Sequence, residues 1–210
     1  MAHGTAPFSS LTTYTDRYNT SCMDHKDRLM TEALRLFALR GVDAVGVQEI
    51  VDASQVTKPT LYHHFGSKEG LVKAVVDRGF GILGRTLDGL GPYDRDLPRY
   101  LERQAGLWIE AVRFQPEWFR LELCLTFLPP DNAAAALVRP GVTALQTRTE
   151  ALFEEAAAQY GNMRGRQRLL AAGWLGALNH WTGIHLGGWA EPDEAFLRAG
   201  TRQFLYGIFS

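Results

Sequence analysis

The sequence has few of the residues that build disulfide-rich, zinc-binding or fibrous proteins. Only two of its 210 residues are cysteines, Cys22 and Cys124, and they stand in opposite halves of the chain. Two cysteines provide neither a disulfide framework nor a cysteine-based zinc site. The 21 glycines and nine prolines are too few and too scattered for a fibrous or low-complexity protein.

Long apolar runs are also missing. The longest is the ten-residue run Leu169 to Leu178, whereas a membrane-spanning helix needs about 20 apolar residues. This run therefore predicts a buried helix. The first 25 residues have neither the charged leader nor the apolar core of a secretory signal. We expect no membrane partner and a cytoplasmic location.

The chain has no excess of either charge. Its 22 basic and 23 acidic residues give a net charge of −1, which excludes a uniformly basic nucleic-acid coat but not a local basic patch. All four lysines fall within the first 73 residues of the chain: Lys26, Lys58, Lys68 and Lys73. Between Thr57 and Lys73 the only acid is Glu69, so this stretch is locally positive.

Helical periodicity runs through most of the sequence, and no useful strand pattern is present. We therefore predict an all-α fold with a tail over 1–24, a small helical unit over 25–83 and a larger helical bundle over 84–210. The predicted helices are about 26–40, 47–53, a third after Thr57, a fourth after Ser67, 97–114, 116–128, 142–160, 162–186 and 192–209. Asp24, Thr57 and Ser67 are expected N-caps.

A helix-turn-helix pattern is predicted over about residues 46–65. Ile50, Val56, Leu61 and Phe65 have the spacing to pack inward and to fix the angle between its two short helices. Polar and basic side chains then remain for the outward and flanking faces of the second helix. Such side chains suit DNA, because Lys and Thr reach base edges while Tyr, His and Lys donate to phosphates.

The segment "TKPTLYHHFGSKEGL" at 57–71, with the helices around it, resembles the DNA-binding domain of TetR-type (tetracycline-repressor-like) transcriptional regulators. The close resemblance covers about residues 26–80, and it implies a DNA-binding domain over 25–83 and an effector-binding and dimerisation domain over 84–210. It implies that Tyr62 and Lys68 hold phosphates, and that His64 contacts either the DNA backbone or its own helix. The residues implied to approach the major groove are Thr57, Lys58, Thr60 and His63, with Pro59 in the first turn of the same helix.

Two departures from the family pattern have structural consequences. Gln55 stands where the family often has a turn glycine, and a left-handed backbone there costs about 1 kcal/mol. Pro59 replaces a common glycine, which stiffens the first turn of the helix but removes one N–H donor.

The C-terminal half carries all five tryptophans. Because the family resemblance implies a ligand cavity in this half, we expect an apolar or aromatic small-molecule effector between the helices that carry Trp108, Trp118 and Trp181. His180 or His185 would be its polar anchor. The alternative is that these aromatic residues fill a helical core, and that the protein is a DNA-binding adaptor without an effector.

A homodimer is expected through the last two helices, about 162–186 and 192–209. Ala172, Gly173, Gly176 and Ala177 are small and lie on adjacent ridges, which lets another helix approach closely. The alternative is a helix buried within one subunit. Two-fold symmetry would pair the dimer with a pseudo-palindromic double-stranded operator, whose half-sites lie about 34–36 Å apart.

Other chemistry finds little support in the sequence. No nucleophile turn, phosphate-binding glycine loop or His-Glu-x-x-His motif is present, so we predict no enzyme activity and no cofactor. His63 and His64 are adjacent on a helix and point about 100° apart, which disfavours a shared metal. Leucines flank Cys124, and we expect its sulfur to be buried and inert. The sequence therefore predicts a transcriptional repressor.

Overall fold

A computed structural model describes residues 24–206, and within this range it contains nine α-helices, one 3-10 turn and no strand. The helices are α1 His25–Arg40, α2 Val47–Ala53, α3 Lys58–Phe65, α4 Lys68–Asp88, α5 Leu97–Phe114, α6 Pro116–Thr126, α7 Ala133–Ala157, α8 Gln167–Leu186 and α9 Glu194–Tyr206. No helix in the described range has the length and apolar character needed to cross a membrane. The predicted all-α fold is confirmed.

The first four helices begin where the sequence predicts, but their caps differ. The Ser67 hydroxyl accepts a hydrogen bond from the Gly70 amide at 3.0 Å and so caps α4. Asp24 and Thr57 occupy the N-cap positions of α1 and α3 without a capping side-chain bond. The Thr57 hydroxyl instead lies 2.9 Å from that of Thr60, so this hydroxyl pair occupies the first turn of α3.

Several predicted boundaries in the C-terminal half differ from the observed ones. The seventh helix begins at Ala133 rather than at residue 142, and Pro140 lies inside it. A proline inside a helix removes one hydrogen bond and bends the axis without necessarily ending the helix. The predicted helix over 162–186 is a 3-10 turn at Gly161–Met163 followed by α8. The sixth helix ends at Thr126, two residues early.

Buried apolar residues form two clusters that α4 connects. The N-terminal cluster joins α1–α4 with Leu121 and Leu125 of α6 and with Ala134 and Val138 of α7. The C-terminal cluster begins at Leu83 of α4 and extends through α5–α9. Because α4 runs unbroken to Asp88, the predicted division between residues 83 and 84 falls inside a helix. That division stays a prediction.

Two glycines let aromatic rings approach helix backbones closely at the junction of these clusters. A Cβ on Gly79 of α4 would lie 1.8 Å from Nε1 of Trp118, and a Cβ on Gly141 of α7 would lie 2.2 Å from the Phe80 ring. The Phe80 and Trp118 rings meet edge to face, with centroids 5.0 Å apart. The position of α4 against α6 and α7 therefore depends on glycine, which has no side chain, at residues 79 and 141.

The prediction for Cys124 is wrong, because its side chain is exposed. Leu121 and Leu125 face the core, and Cys124 lies on the outer side of the same helix. Flanking leucines thus do not bury a neighbour on an amphipathic helix, since adjacent residues point about 100° apart. Cys22, most of the predicted 1–24 tail and the end of the last predicted helix lie outside the described residues.

Candidate DNA-binding and effector sites

Leu61 anchors α3 to the N-terminal cluster and thereby presents the opposite face of the helix. Its side chain is fully buried, and Ile50 of α2 is fully buried beside the same cluster. Val56 and Phe65 are half-buried and pack against it. The predicted inward set is therefore confirmed as the contact that holds α2 and α3 together.

The side chains predicted to contact DNA lie around the outer face of α3. Tyr62 is 47% exposed although it is a large aromatic residue. The other exposed members are Thr57, Lys58, Pro59 and His63, and the half-buried members are Thr60, His64 and Lys68 at the start of α4. The structure brings all eight residues to one short helix and its flanking turns.

The turn between α2 and α3 has the backbone that the glycine position implies. Gln55 has φ 54°, in the left-handed region that favours glycine. Its neighbour Val56 donates its amide to the Val51 carbonyl at 3.0 Å, and the Ser54 hydroxyl donates to the Ile50 carbonyl at 2.7 Å. These two hydrogen bonds close the turn and hold the strained residue in place.

Two lysines at this surface are not engaged by acidic side chains. The ion pairs within residues 24–206 include neither Lys58 nor Lys68, whereas Lys73, one turn further along α4, pairs with Asp77. An unpaired ammonium group can donate all three of its hydrogens to a ligand. Lys58 and Lys68 therefore have the charge and freedom that a phosphate contact requires.

Arg40 and Glu49 position α2, and sequence reasoning did not identify them. The Glu49 carboxylate accepts from the Gly46 amide at 3.0 Å and from Arg40. The hydrogen bond from the Gly46 amide has the largest effect, and that from Arg40 the next largest; both lower the pKa of Glu49 below its usual value. Arg40 also donates to the Ala44 carbonyl at 2.9 Å. The available signal was a Glu three residues after the glycine N-cap, the capping-box position.

A second unpredicted contact joins the first helix to the helix that links the two clusters. Arg78 of α4 donates to the Asp27 carboxylate of α1 at 2.9 Å, across 51 residues of sequence. The pair is partly exposed, so its contribution to stability is modest. It nevertheless ties α1 to the middle of α4, which is next to the Gly79 position.

The three tryptophans predicted for the effector site are all buried in the C-terminal cluster, but their ring contacts divide them into two aromatic groups. Trp108 and Trp118 both pack against Phe119, with centroids 5.7 and 4.8 Å away. Trp108 also donates its indole N–H to the Thr182 hydroxyl at 2.9 Å, whereas Trp181 packs against Trp174 and Phe196, with centroids 5.7 and 5.9 Å away. The Trp118 N–H is buried and has no hydrogen-bond partner among the described residues.

The two histidines predicted as polar anchors lie outside both buried aromatic groups. His180 is exposed on α8. The Nδ1 atom of His185 lies 3.0 Å from the Glu191 carboxylate, which also accepts from Arg113. The hydrogen bond from Arg113 has the largest effect on the pKa of Glu191 and lowers it below its usual value. Both imidazoles therefore face solvent or the 187–193 loop, and their role as ligand anchors stays a prediction.

One face of α8 is buried and the other exposes small residues. Trp174 and Leu178 on the inner face are fully buried. On the outer face Ala172, Gly173 and Gly176 are exposed and Ala177 is half-buried, while nearby Leu169 is 67% exposed. The helix is thus apolar on both sides but packed on only one within this subunit.

Comparison with known proteins places this chain among helix-turn-helix regulators. Residues 29–75 match the family model "Bacterial regulatory proteins, tetR family". The transcriptional activator FasR of Mycolicibacterium smegmatis is 25% identical over 89% of this chain and 84% of that protein. The transcriptional repressor KstR2 of Rhodococcus jostii is 44% identical, but over only 26% of each chain.

Solved structures share the fold over nearly the whole described chain. A fatty acid metabolism regulator of Clostridium perfringens, named as putative, has a TM-score of 0.76 and 22% identity over 87% of this chain and 99% of that one. FadR of Bacillus subtilis in complex with stearoyl-CoA has a TM-score of 0.71 and 14% identity, covering 86% and 98%. AibR in complex with isovaleryl coenzyme A and operator DNA has a TM-score of 0.65 and 21% identity, covering 89% and 100%.

Proposed function

We propose that this chain, whose residues 29–75 match the family model of tetR-type bacterial regulatory proteins, is a cytoplasmic transcriptional repressor of that family without catalytic activity. It binds a pseudo-palindromic operator as a homodimer and leaves it when an apolar small molecule enters the C-terminal helices. The observation that carries the proposal is the outer face of α3, where hydroxyl, imidazole and ammonium groups project from a helix anchored by Leu61.

The side chains on this face divide into two kinds of DNA contact. Lys68 and the Tyr62 hydroxyl flank the helix and donate to phosphates, which fixes orientation without sequence information. Lys58, Thr60 and His63 approach base edges in the major groove, where each base pair has a distinct donor and acceptor pattern. His64, half-buried against Phe65, contacts the DNA backbone or its own helix.

The outer face of α8 supports the proposed dimer. Its exposed small residues allow a second helix to approach closely, and Leu169 adds apolar surface that association removes from water. A Cβ on Gly176 would meet no atom of its own subunit, so Gly176→Glu leaves the monomer intact. In sedimentation experiments the Gly176→Glu variant should be a monomer. The control variant Ala144→Glu, on α7, should remain a dimer. A stable Gly176→Glu dimer would place the interface elsewhere.

For the effector we propose an acyl thioester of coenzyme A, in which the acyl chain is apolar and the coenzyme A part carries phosphates. Two structural neighbours were solved with acyl-CoA ligands, and Trp108, Trp118 and Trp181 supply apolar surface in the corresponding half of this chain. The buried Trp118 N–H has no partner among the described residues, and because it packs against Gly79, a carbonyl oxygen of such a ligand satisfies it only when the indole moves away from α4. Leaving such a group unpaired costs about 1–3 kcal/mol, which the ligand recovers.

Coupling to DNA passes through α4. Trp118 rests directly on Gly79, so a ligand that moves this indole also moves the backbone of the helix that begins next to the DNA-binding face. The Asp27–Arg78 pair transmits that movement to α1. A coupling of about 1–3 kcal/mol would change operator affinity several-fold to a hundredfold.

Selection of genomic fragments by the purified protein, followed by sequencing, tests the DNA-binding part of the proposal. We expect enrichment of a two-fold symmetric site whose half-sites lie one helical turn apart. A protein with Lys58→Ala and Thr60→Ala should lose this enrichment while it keeps the same unfolding temperature. Equal recovery of all fragments by the unaltered protein would contradict the proposal.

The effector part is tested separately with isovaleryl-CoA and stearoyl-CoA. Tryptophan emission and operator release should change together during titration, and Trp118→Phe, which removes the N–H donor, should weaken both responses. Emission that responds while operator affinity stays constant would show a pocket without a regulatory role. No response in either signal, for acyl thioesters and aromatic compounds alike, would favour the adaptor without an effector.

A further inference from the structure

A guanidinium group outside the DNA contacts proposed above lies next to the first turn of α2. Arg40, the last residue of α1, donates to the Glu49 carboxylate and, at 2.9 Å, to the Ala44 carbonyl. Glu49 is itself fixed, because it accepts from the Gly46 amide at 3.0 Å. Two acceptors from different parts of the 41–49 segment therefore hold the end of the Arg40 side chain beside the start of α2.

The guanidinium group of Arg40 keeps N–H groups for a further acceptor. Its side chain is 48% exposed, and within residues 24–206 its side-chain hydrogen bonds are those to Glu49 and Ala44. A guanidinium group has five N–H donors in a planar fork that matches a phosphate. Arg40 can thus bind an anionic oxygen without giving up the two contacts that fix its position.

A second cation lies near the same carboxylate. The hydrogen bond from the Gly46 amide lowers the pKa of Glu49 most, Arg40 lowers it next, and the charge of Lys68 lowers it further. Lys68 begins α4 and is one of the residues that flank the outer face of α3. Arg40 and Lys68 therefore lie in one neighbourhood, which connects Arg40 with the phosphate contact proposed for the start of α4.

Acidic residues also occur in this part of the chain, at Asp43 in the loop before α2 and at Glu69 next to Lys68. The Glu69 carboxylate is engaged at the start of its own helix, where its own backbone amide and then the Ser67 hydroxyl lower its pKa. The region is thus not a general basic patch. A phosphate would be bound here by directed N–H groups rather than by an excess of positive charge.

We infer that Arg40 is a further DNA contact, whose guanidinium group donates to a backbone phosphate beside the first turn of α2. The first helix of a helix-turn-helix crosses the DNA backbone, and Glu49 ties Arg40 to that helix. Gly46, the N-cap of α2, has no side chain that could donate in its place. The inference rests on the proposed DNA-binding function, and the contact would fix the register of the protein without reading the DNA sequence.

Salt titrations of DNA binding by Arg40→Ala test this contact, with the selected operator and a random-sequence duplex as the two probes. The variant should bind both probes more weakly by a similar factor, and the slope of log affinity against log salt concentration should fall by about one. The exposed pair contributes little to folding, so the variant should fold.

The matched control is Arg35→Ala, on the same helix. Arg35 is 50% exposed and pairs with Glu32, much as Arg40 pairs with Glu49. It lies two residues from both Ala33 and Phe37, which are buried, and therefore on the opposite face of α1. Its removal should leave the salt slope unchanged, and a fall as large as that of Arg40→Ala would overturn the inference.

A second variant separates a phosphate contact from a role in shaping α2. Glu49→Gln keeps an oxygen that accepts from the Gly46 amide, but it removes the ion pair and leaves the charge of Arg40 free to meet a phosphate. Its salt slope should therefore not fall. An equal fall in Glu49→Gln would show that the ion pair acts by shaping α2, and it would overturn the contact.

The same titrations distinguish failure of this inference from failure of the proposed function. A slope that falls for Lys68→Ala but not for Arg40→Ala would remove Arg40 from the DNA contacts and leave the proposed regulator intact. If the unaltered protein shows no salt-dependent binding to either probe, the inference is overturned together with the proposed function.

Discussion

The two ends of this molecule use aromatic and polar residues in opposite ways. In the N-terminal region, α3 buries Leu61 on its apolar side. On the other side Tyr62 and His63 are exposed and His64 is half-buried. In the C-terminal region Trp108, Trp118, Trp174 and Trp181 are all buried, and two of their N–H groups bond to Gln104 and Thr182. The exposed Tyr62 thus lies on the side of α3 opposite the buried Leu61, whereas the four tryptophans pack inside the C-terminal cluster.

The difference also lies in how far apart the contacting residues are in sequence. Contacts that shape the DNA-binding face are local, such as Ser54 to Ile50 and Thr57 to Thr60. Those of the C-terminal cluster span long separations, such as Trp108 to Thr182 across 74 residues. Local patterns are visible in one sequence, whereas distant pairings follow from packing.

The largest expected effect is at the anchor of α3. Leu61→Ala leaves a cavity in the N-terminal cluster and should lower the free energy of unfolding by about 2–5 kcal/mol. The adjacent Tyr62→Ala removes an exposed side chain and should change stability by less than about 0.5 kcal/mol. Urea unfolding of both variants checks this contrast, and equal losses would show that Tyr62 is part of the core.

The next effect concerns Glu122, which lies on α6 where the two regions meet. Its side chain is buried and accepts from the Thr126 hydroxyl at 2.9 Å, and burial raises its pKa to about 7 from a usual value of 4.5. Between about pH 4.5 and about pH 7, the Glu122 carboxyl therefore keeps its proton in the folded protein, whereas it loses that proton in the unfolded chain. Stability should fall as pH rises from about 4.5 to about 7, by up to roughly 3 kcal/mol.

Glu122→Gln should abolish that part of the pH dependence, because an amide does not titrate. Free energies of unfolding measured across this pH window for both proteins make the comparison. Glu117→Gln, which alters an exposed acid on the same helix, serves as the control. A slope that survives in Glu122→Gln would assign the effect to other groups.

A smaller effect should separate two glycines of the same helix. Gly79→Ala places a methyl group against the Trp118 indole, and this overpacking should cost about 1–3 kcal/mol. Gly84→Ala meets no atom within 4 Å and should stabilise α4 by about 0.5–1 kcal/mol. The unfolding temperature should fall for Gly79→Ala and rise for Gly84→Ala. A rise for both variants would mean that the Trp118 indole moves aside to admit the methyl group.

Sequence patterns predicted the DNA-binding face better than the effector region for a physical reason. The bounds of α2 and the inward positions of Ile50 and Leu61 follow from spacing within one or two turns. The left-handed residue at Gln55 follows from the family position that glycine often fills. All of these depend on neighbours a few residues away.

What the sequence did not predict depends on tertiary packing. The seventh helix was expected to begin only after Pro140, yet Pro140 lies within α7, where packing overrides the local preference. The close approaches at Gly79 and Gly141 bring together residues from separate helices, and no single-helix pattern indicates them. The exposed Cys124 was mispredicted because its leucine neighbours belong to a different face of the helix.

The salt dependence of operator binding by Lys68→Ala, set against Lys73→Ala, tests the central claim that α3 and its flanks bind DNA. Lys68 is unpaired and flanks α3, whereas Lys73 on the same helix pairs with Asp77. Lys68→Ala should weaken operator and random DNA alike and lower the salt slope by about one. Thr60→Ala should instead reduce discrimination between operator and random DNA. An unchanged slope for Lys68→Ala, or the same drop for Lys73→Ala, would contradict the account.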